Sequence, residues 1–172
     1  EPSEIGNEMI QAFEKVNPPS IRGIWESRGL IKRALLTHPS TVRSARCQEI
    51  VEEPDLSVLP VLKCWPGDAG RFITWGMVLT QHPRTRRRNL GLYRLQVFGK
   101  DATGMHWQSM KGGRGHYWEA EQAGQDLEVA VVIGADPILM MSAIMPLPED
   151  VDEIGFAGFL RGRGVPMVRA KT

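Results

Sequence analysis

The chain has 172 residues, 42 % of them hydrophobic and 24 % charged, which suits one compact domain with a real core and excludes a disordered chain. A formal net charge of +1 excludes a global field that would draw the protein to nucleic acid or an anionic membrane, and no apolar run is long enough to cross a bilayer. Glu1 is neither an initiating Met nor the start of a signal peptide, which reads as a cut from a longer chain.

In chain order, Ile5, Met9, Ile10, Phe13 and Val16 recur at helical spacing, and an Asn-Pro-Pro run stops that helix. Residues 21–42 carry GLIKRALL, a second predicted helix ended by the His38–Pro39 pair. LSVLPVLKCWPGDAG is extended and turn-rich. Cys47 and Cys64 have neither metal nor redox spacing and read as two buried thiols of a cytosolic protein. Strands are predicted near residues 72–80, 90–98, 105–109 and 129–133, rich in β-branched and aromatic residues. HPRTRRRN is a loop or hairpin connection, KGGRG a glycine-rich loop and HYWEAEQAGQ a short helix. LEVAVVIGA is apolar on both faces, the pattern of a buried strand. Asp136 before Pro137 is an N-cap and first-turn pair that starts a helix. A proline-rigid turn, a further helix and a last strand, VPMVRA, follow. Central strands with helices before and between them predict an α+β fold, in the form of a small, partly open barrel with packed helices.

Several motifs carry chemistry. Arg84, Arg86, Arg87 and Arg88 could contact phosphates, although a solvated hairpin tip is the commoner fate of such a run. KGGRGH offers backbone N–H groups and the charges of Lys111 and Arg114 to an anion, without being a Walker or dinucleotide loop. His106 alternates with Met105 and Trp107 on a predicted strand, and His116 follows glycines. No zinc spacing is present. An Asn, a His and a Glu drawn from distant positions would make a mixed oxygen and nitrogen set suited to Mn²⁺ or Mg²⁺. The acids of PEDVDEIG suit a helix N-terminus, and GADP is a strand-to-helix turn whose helix end could meet an anion. The residues alone yield an α+β domain with an anion or metal pocket and do not name a reaction.

From residue 47 to residue 172 the chain resembles the UbiD family of decarboxylases. The resemblance rests on CQEIV, LPVLKCWPGDAGRFITWGMVLTQHP, RRNLGLYRLQV, GMHW, VAVVIGADP, MPLPEDVDEIGFAGFLRG and VPMVRAKT, which occur in family order. It implies non-oxidative decarboxylation of an aromatic or α,β-unsaturated carboxylic acid. It also implies prenylated FMN supplied by a partner flavin prenyltransferase, Mn²⁺ or Mg²⁺ with K⁺ as a further ion, and a split β-barrel like that of flavin reductases. By the same resemblance the metal ligands are Asn89, His116 and Glu153. Leu92, Tyr93, Arg94, His106, Trp107, Gln108, Lys111, Gly112 and Met145 contact the flavin, and Arg94 is also the catalytic residue beside the substrate carboxylate. Met110 and Lys111 stand where many members have His-Arg, so Lys111 keeps the charge without the bidentate fork. Strict alternation puts Asn89 and Arg94 on opposite faces, so a shared pocket requires Asn89 to precede the strand or a bulge, for which Gly91 is the place.

The expected organisation is a helical lead-in over residues 1–45, the tail of an N-terminal domain, and a cofactor-binding barrel over 46–172. The family's proton-handling acids and oligomer-forming C-terminal region fall beyond the matched stretch, so the chain is expected to be inactive alone and the full-length protein a cytoplasmic homo-oligomer, with contact at a membrane surface left open. Two rivals stand beside this reading: a non-catalytic flavin- or nucleotide-binding module, and a nucleic-acid-binding domain built on residues 84–88.

Overall fold

The structure, a computed structural model, describes residues 37–148 and 151–171, together with residues 7, 28, 29 and 32. The two helices expected before residue 40, and Glu149 and Asp150 of the acidic run, fall largely or wholly outside the described residues. Among the described residues lie eight short strands, three α-helices and two single-turn 3-10 helices (Arg46–Gln48 and Leu56–Val58), the strands and α-helices being β1 (Ser40–Val42), β2 (Phe72–Ile73), β3 (Met77–Gln81), β4 (Arg88–Leu92), β5 (Leu95–Val97), β6 (Thr103–Met105), α1 (Gly112–Gln122), β7 (Val129–Val132), α2 (Pro137–Ile144), α3 (Glu153–Arg161) and β8 (Pro166–Val168). Among the described residues the strands form three small sheets, ordered β1-β8, β2-β5-β6 and β4-β3-β7. The fold is therefore mixed α and β.

Strand β3 explains the layering. Met77 and Leu79 face one core with Leu90, Ile154, Ala157 and Val165, closed by α2 and α3. Val78 faces a second core with Ile73, Tyr93 and Leu95, closed by β2, β5 and β6. Met77 and Val78 are adjacent and both fully buried, so this strand separates two apolar layers by its period of two.

Two predicted strands are each divided between sheets. Residues 72–80 split into β2 and β3, and residues 90–98 into β4 and β5. At the first break, a Cβ on Gly76 would lie 3.1–3.2 Å from Ile73, Leu95 and Val131, so the crossing between sheets leaves no room for a side chain. The third strand runs from Thr103 to Met105, so of the expected 105–109 only Met105 is strand, and His106, Trp107 and Gln108 follow it in irregular chain. The His106 N–H still donates to the Arg94 carbonyl at 3.0 Å.

Other expectations need correction. KGGRG is not a loop: Lys111 is the N-cap and the glycines form the first turn of α1. The strand at residues 129–133 is not buried on both faces. Val129, Val131 and Val132 are 38 %, 37 % and 42 % exposed, because β7 is an edge that pairs only with β3. Cys47 and Cys64 are exposed free thiols, both in non-strand connections. No bulge occurs at Gly91, since β3 and β4 pair in unbroken register from Met77–Leu92 to Gln81–Arg88.

The helix starts follow local chemistry. Asp136 accepts from the N–H groups of Ile138 and Leu139 at 3.0 and 3.3 Å, with Pro137 in the first turn of α2. Asp152 caps α3 through Ile154 N–H at 3.0 Å, and Gly162, at φ 70°, ends it in the left-handed conformation that glycine adopts without penalty. Of the arginine run, Arg84 pairs with Glu119 on α1 and Arg88 with Asp152. Those two charges are thus engaged within the chain rather than presented together to a nucleic acid.

Candidate functional site

A cleft of about 700 Å³ opens along the free edge of β4. The N-terminal turn of α1, the segment after α2 and the first residue of α3 form its other walls. Strand alternation sends Leu90 and Leu92 into the core and turns Asn89, Gly91 and Tyr93 to the opposite face. As the edge strand, β4 leaves outward backbone groups to be satisfied. Glu153 Oε2 accepts from Leu90 N–H at 3.2 Å, and Lys111 Nζ donates to the Leu92 carbonyl at 2.8 Å.

The β3–β4 register places Thr80 opposite Asn89. The Thr80 hydroxyl is hydrogen-bonded to His116 Nδ1 at 2.8 Å, deep in the structure. One rung of the hairpin therefore carries Asn89 directly and His116 through Thr80. Burial, followed by the neighbouring charges of His82 and Arg87, pushes the His116 pKa below its usual value. His82 meets its ring edge-on, with centroids 5.2 Å apart. Burial raises the Glu153 carboxyl above its usual range, with Leu90 N–H opposing that shift.

Glycines let α1 approach this face. A Cβ on Gly112 would lie 2.2 Å from Asn89 Oδ1, and one on Gly113 would lie 2.6 Å from the Tyr93 hydroxyl. Gly113 N–H donates to that hydroxyl at 3.0 Å, and burial raises the Tyr93 pKa. Asn89 Nδ2 is buried with no hydrogen-bond partner.

The structure brings Asn89, Tyr93, Lys111, Gly112, His116, Met145 and Glu153 onto the lining of this one cleft. It leaves Leu92, Arg94, His106, Trp107 and Gln108 off that lining. Leu92 packs in the α2–α3 core. Trp107 stands edge-on to Tyr93 at 5.1 Å and stacks on Tyr117 at 5.5 Å, while His106 and Gln108 are exposed. Arg94 lies beyond the end of β4, with its guanidinium 3.7 Å over the Phe72 ring and its Nη2 donating to Asp68 Oδ2 at 2.7 Å. Its Nε is buried and unpartnered. The break between β4 and β5 is the reason: Arg94 lies past the last paired residue, Leu92, and turns toward Asp68 and Phe72 instead of the cleft.

Sequence reasoning passed over Thr80, His82 and Asp68. Thr80 was accessible from the hairpin alone, by counting back from Asn89 across the turn. Asp68, set in a turn by Trp65 N–H at 3.1 Å, gave no local signal.

Among the described residues no three of His, Cys, Asp and Glu group as a metal site, so the cleft offers a mixed set of one amide, one imidazole and one carboxylate. That set suits a hard divalent cation on two counts. Burial favours the uncharged, ligating form of the imidazole, and the half-buried carboxylate stands beside the amide, whose oxygen Oδ1 and not its unpartnered donor Nδ2 would be the ligand.

Comparison with known proteins gives the family. The family model described as the 3-octaprenyl-4-hydroxybenzoate carboxy-lyase Rift-related domain, UbiD, matches residues 40–172. An uncharacterized protein of Archaeoglobus fulgidus is 42 % identical over 170 residues, covering 98 % of this chain and 35 % of that protein. Among solved structures, an evolved dimeric form of the UbiD-class enzyme HmfF from Pelotomaculum thermopropionicum, in complex with prFMN, is 30 % identical at a TM-score of 0.74. It covers 83 % of this chain and 35 % of its own. The apo 3,4-dihydroxybenzoic acid decarboxylase AroY of Klebsiella pneumoniae is 28 % identical at a TM-score of 0.72, covering 87 % and 33 %. The chain spans about a third of the length of these relatives.

Proposed function

The chain belongs to the UbiD family, and from that premise we propose that it holds the cofactor of a decarboxylase acting on an aromatic or α,β-unsaturated carboxylic acid. The cofactor is prenylated FMN, provided by a flavin prenyltransferase, with Mn²⁺ or Mg²⁺ at its phosphate and K⁺ as a further ion. Residues 46–172 are read as the binding domain, and their three small sheets as the parts of a split barrel. The full-length protein is read as a cytoplasmic homo-oligomer.

The observation that carries this reading is the convergence of Asn89, His116 and Glu153 on one cleft from three separate elements. Asn89, His116 and Glu153 would hold the cation. The N-terminus of α1 would receive the phosphate: Gly113 N–H already donates to the Tyr93 hydroxyl and Arg114 N–H to the Lys111 carbonyl, so Gly112 N–H and the Lys111 side chain would be the donors. Tyr93, backed by Trp107, gives the cleft a rigid aromatic floor. When bound, prenylated FMN supplies an electron sink for the pair left behind as CO₂ departs. Arg94 would orient the substrate carboxylate only by giving up its Asp68 partner, since it stands off the cleft lining with Nη2 held by Asp68 and Nε buried.

Two measurements test the reading. FMN titrated into the chain should bind more tightly with Mn²⁺ than with chelator, and Asn89→Ala should weaken the Mn²⁺-dependent binding by about tenfold or more. Equal affinity with and without metal would overturn the assignment of the cleft. For the activity, a protein extended to the length of its relatives and loaded with prenylated FMN and Mn²⁺ should release CO₂ from an acid within a panel of hydroxybenzoates and cinnamates.

A further inference from the structure

We propose that Arg88 and Asp152 form a positioning clamp that sets the separation of Asn89 and Glu153, the two oxygen donors of the cleft. This rests on the reading of the cleft as a divalent-cation site. Neither clamp residue is assigned a contact with metal or substrate.

The argument is one of adjacency. Arg88 and Asn89 are successive residues of β4, and Asp152 and Glu153 are successive at the start of α3. The Arg88 Nη2–Asp152 Oδ2 ion pair therefore ties together the immediate neighbours of the two donors. The pair is fixed at both ends. Asp152 commits its other oxygen, Oδ1, to the helix cap through Ile154 N–H at 3.0 Å. Arg88 commits Nη1 to Met167 Sδ on β8 at 3.1 Å. A second rung, Leu90 N–H to Glu153 Oε2 at 3.2 Å, lies two residues along the same strand. The two rungs lace the first turn of α3 to β4, with Asn89 between them.

Core packing of Ile154 and Ala157 holds the body of α3 near Leu90, but at its first turn the Leu90 rung alone is one hydrogen bond, about which that turn could pivot. The ion pair removes that freedom and so fixes how far Glu153 stands from Asn89. Groups that orient metal ligands typically change metal affinity by about 10–100-fold when lost, although they touch no metal. An ordinary partly exposed ion pair, by contrast, contributes little and only to stability. The two cases separate in experiment.

Mn²⁺ alone is titrated into the chain and followed by electron paramagnetic resonance for wild type, Arg88→Met, Asp152→Asn and the double variant, with Arg88→Lys as the charge-retaining control. Asparagine keeps the helix cap, so Asp152→Asn removes the ion pair without unmaking α3. The expected result is a loss of about tenfold in Mn²⁺ affinity for each single variant. The double variant should be no weaker than the worse single, because one contact is lost once. Arg88→Lys should recover part of the loss, and the bound Mn²⁺ spectrum should broaden wherever affinity falls. Circular dichroism confirms that each protein is folded before titration. Unchanged affinity in folded Arg88→Met and Asp152→Asn, with wild-type binding abolished by Asn89→Ala, overturns the clamp and leaves the site standing. Additive losses in the double variant also overturn it. Wild-type Mn²⁺ binding that is insensitive to both Asn89→Ala and Glu153→Gln overturns the reading of the cleft itself, and the clamp with it.

Discussion

Gly113→Ala tests how closely α1 is pressed onto β4. A Cβ there would lie 2.6 Å from the Tyr93 hydroxyl and 3.0 Å from Trp107. Tyr93 is 3 % exposed and braced edge-on by Trp107, so its ring has little room to retreat. Overpacking of this kind costs about 1–3 kcal/mol. Displacing the hydroxyl also weakens its bond from Gly113 N–H, worth about 1 kcal/mol. Alanine returns up to about 1 kcal/mol of helix propensity over glycine. The net expectation is a destabilisation of about 1–3 kcal/mol. Gly115→Ala, two residues along the same helix, is the control: its Cβ would meet nothing within 4 Å. That variant should be stabilised by about 0.5–1 kcal/mol. Urea denaturation of the three proteins under one buffer gives both numbers. Two variants shifted in the same direction would refute the claim that close approach, rather than helix propensity, decides Gly113.

Thr80→Val keeps the shape but leaves His116 Nδ1 without its partner, and should cost about 1–3 kcal/mol in the same denaturation assay. Asp68 is held below the usual carboxylate range, chiefly by its hydrogen bond from Arg94. A depressed folded pKa adds stability that is present above the unfolded value of about 3.9 and is lost as pH falls through the folded value. Asp68→Asn should therefore flatten the fall in stability as pH drops below about 3.9, and parallel wild-type and variant curves would contradict the pairing. Gly158→Ala would set a Cβ 2.3 Å from the Thr37 carbonyl oxygen, a backbone atom that cannot rotate away. It should destabilise by about 3 kcal/mol, at the upper end of overpacking effects, and a variant as stable as wild type would show that α3 can slide on this segment.

Local chemistry made several parts of this protein legible from sequence. Asp136–Pro137 fixed the start of α2, because an N-cap oxygen and a proline in the first turn act within four residues. The alternation of Asn89, Leu90, Gly91 and Leu92 fixed which side chains face the core, because strand period is a property of the backbone. Motif order from residue 47 onward identified the family, and the family in turn named Asn89, His116 and Glu153 together. Tertiary structure decided the rest. Residues 72–80 and 90–98 each read as one strand, since periodicity cannot tell which sheet a strand joins, and only the packing around Gly76 and the turn at Tyr93–Arg94 divides them. KGGRG read as a loop because glycine is a poor helix former, and the crowding of Asn89 and Tyr93 against the helix start shows why glycine stands there. The exposure of β7 depended on which strands find partners, and that of both cysteines on connections that no described residue packs over. The pairing of Arg88 with Asp152 left no trace in either local segment. A contact between residues so distant along the chain is set by how α3 lies against β4, and that is a property of the packed molecule alone.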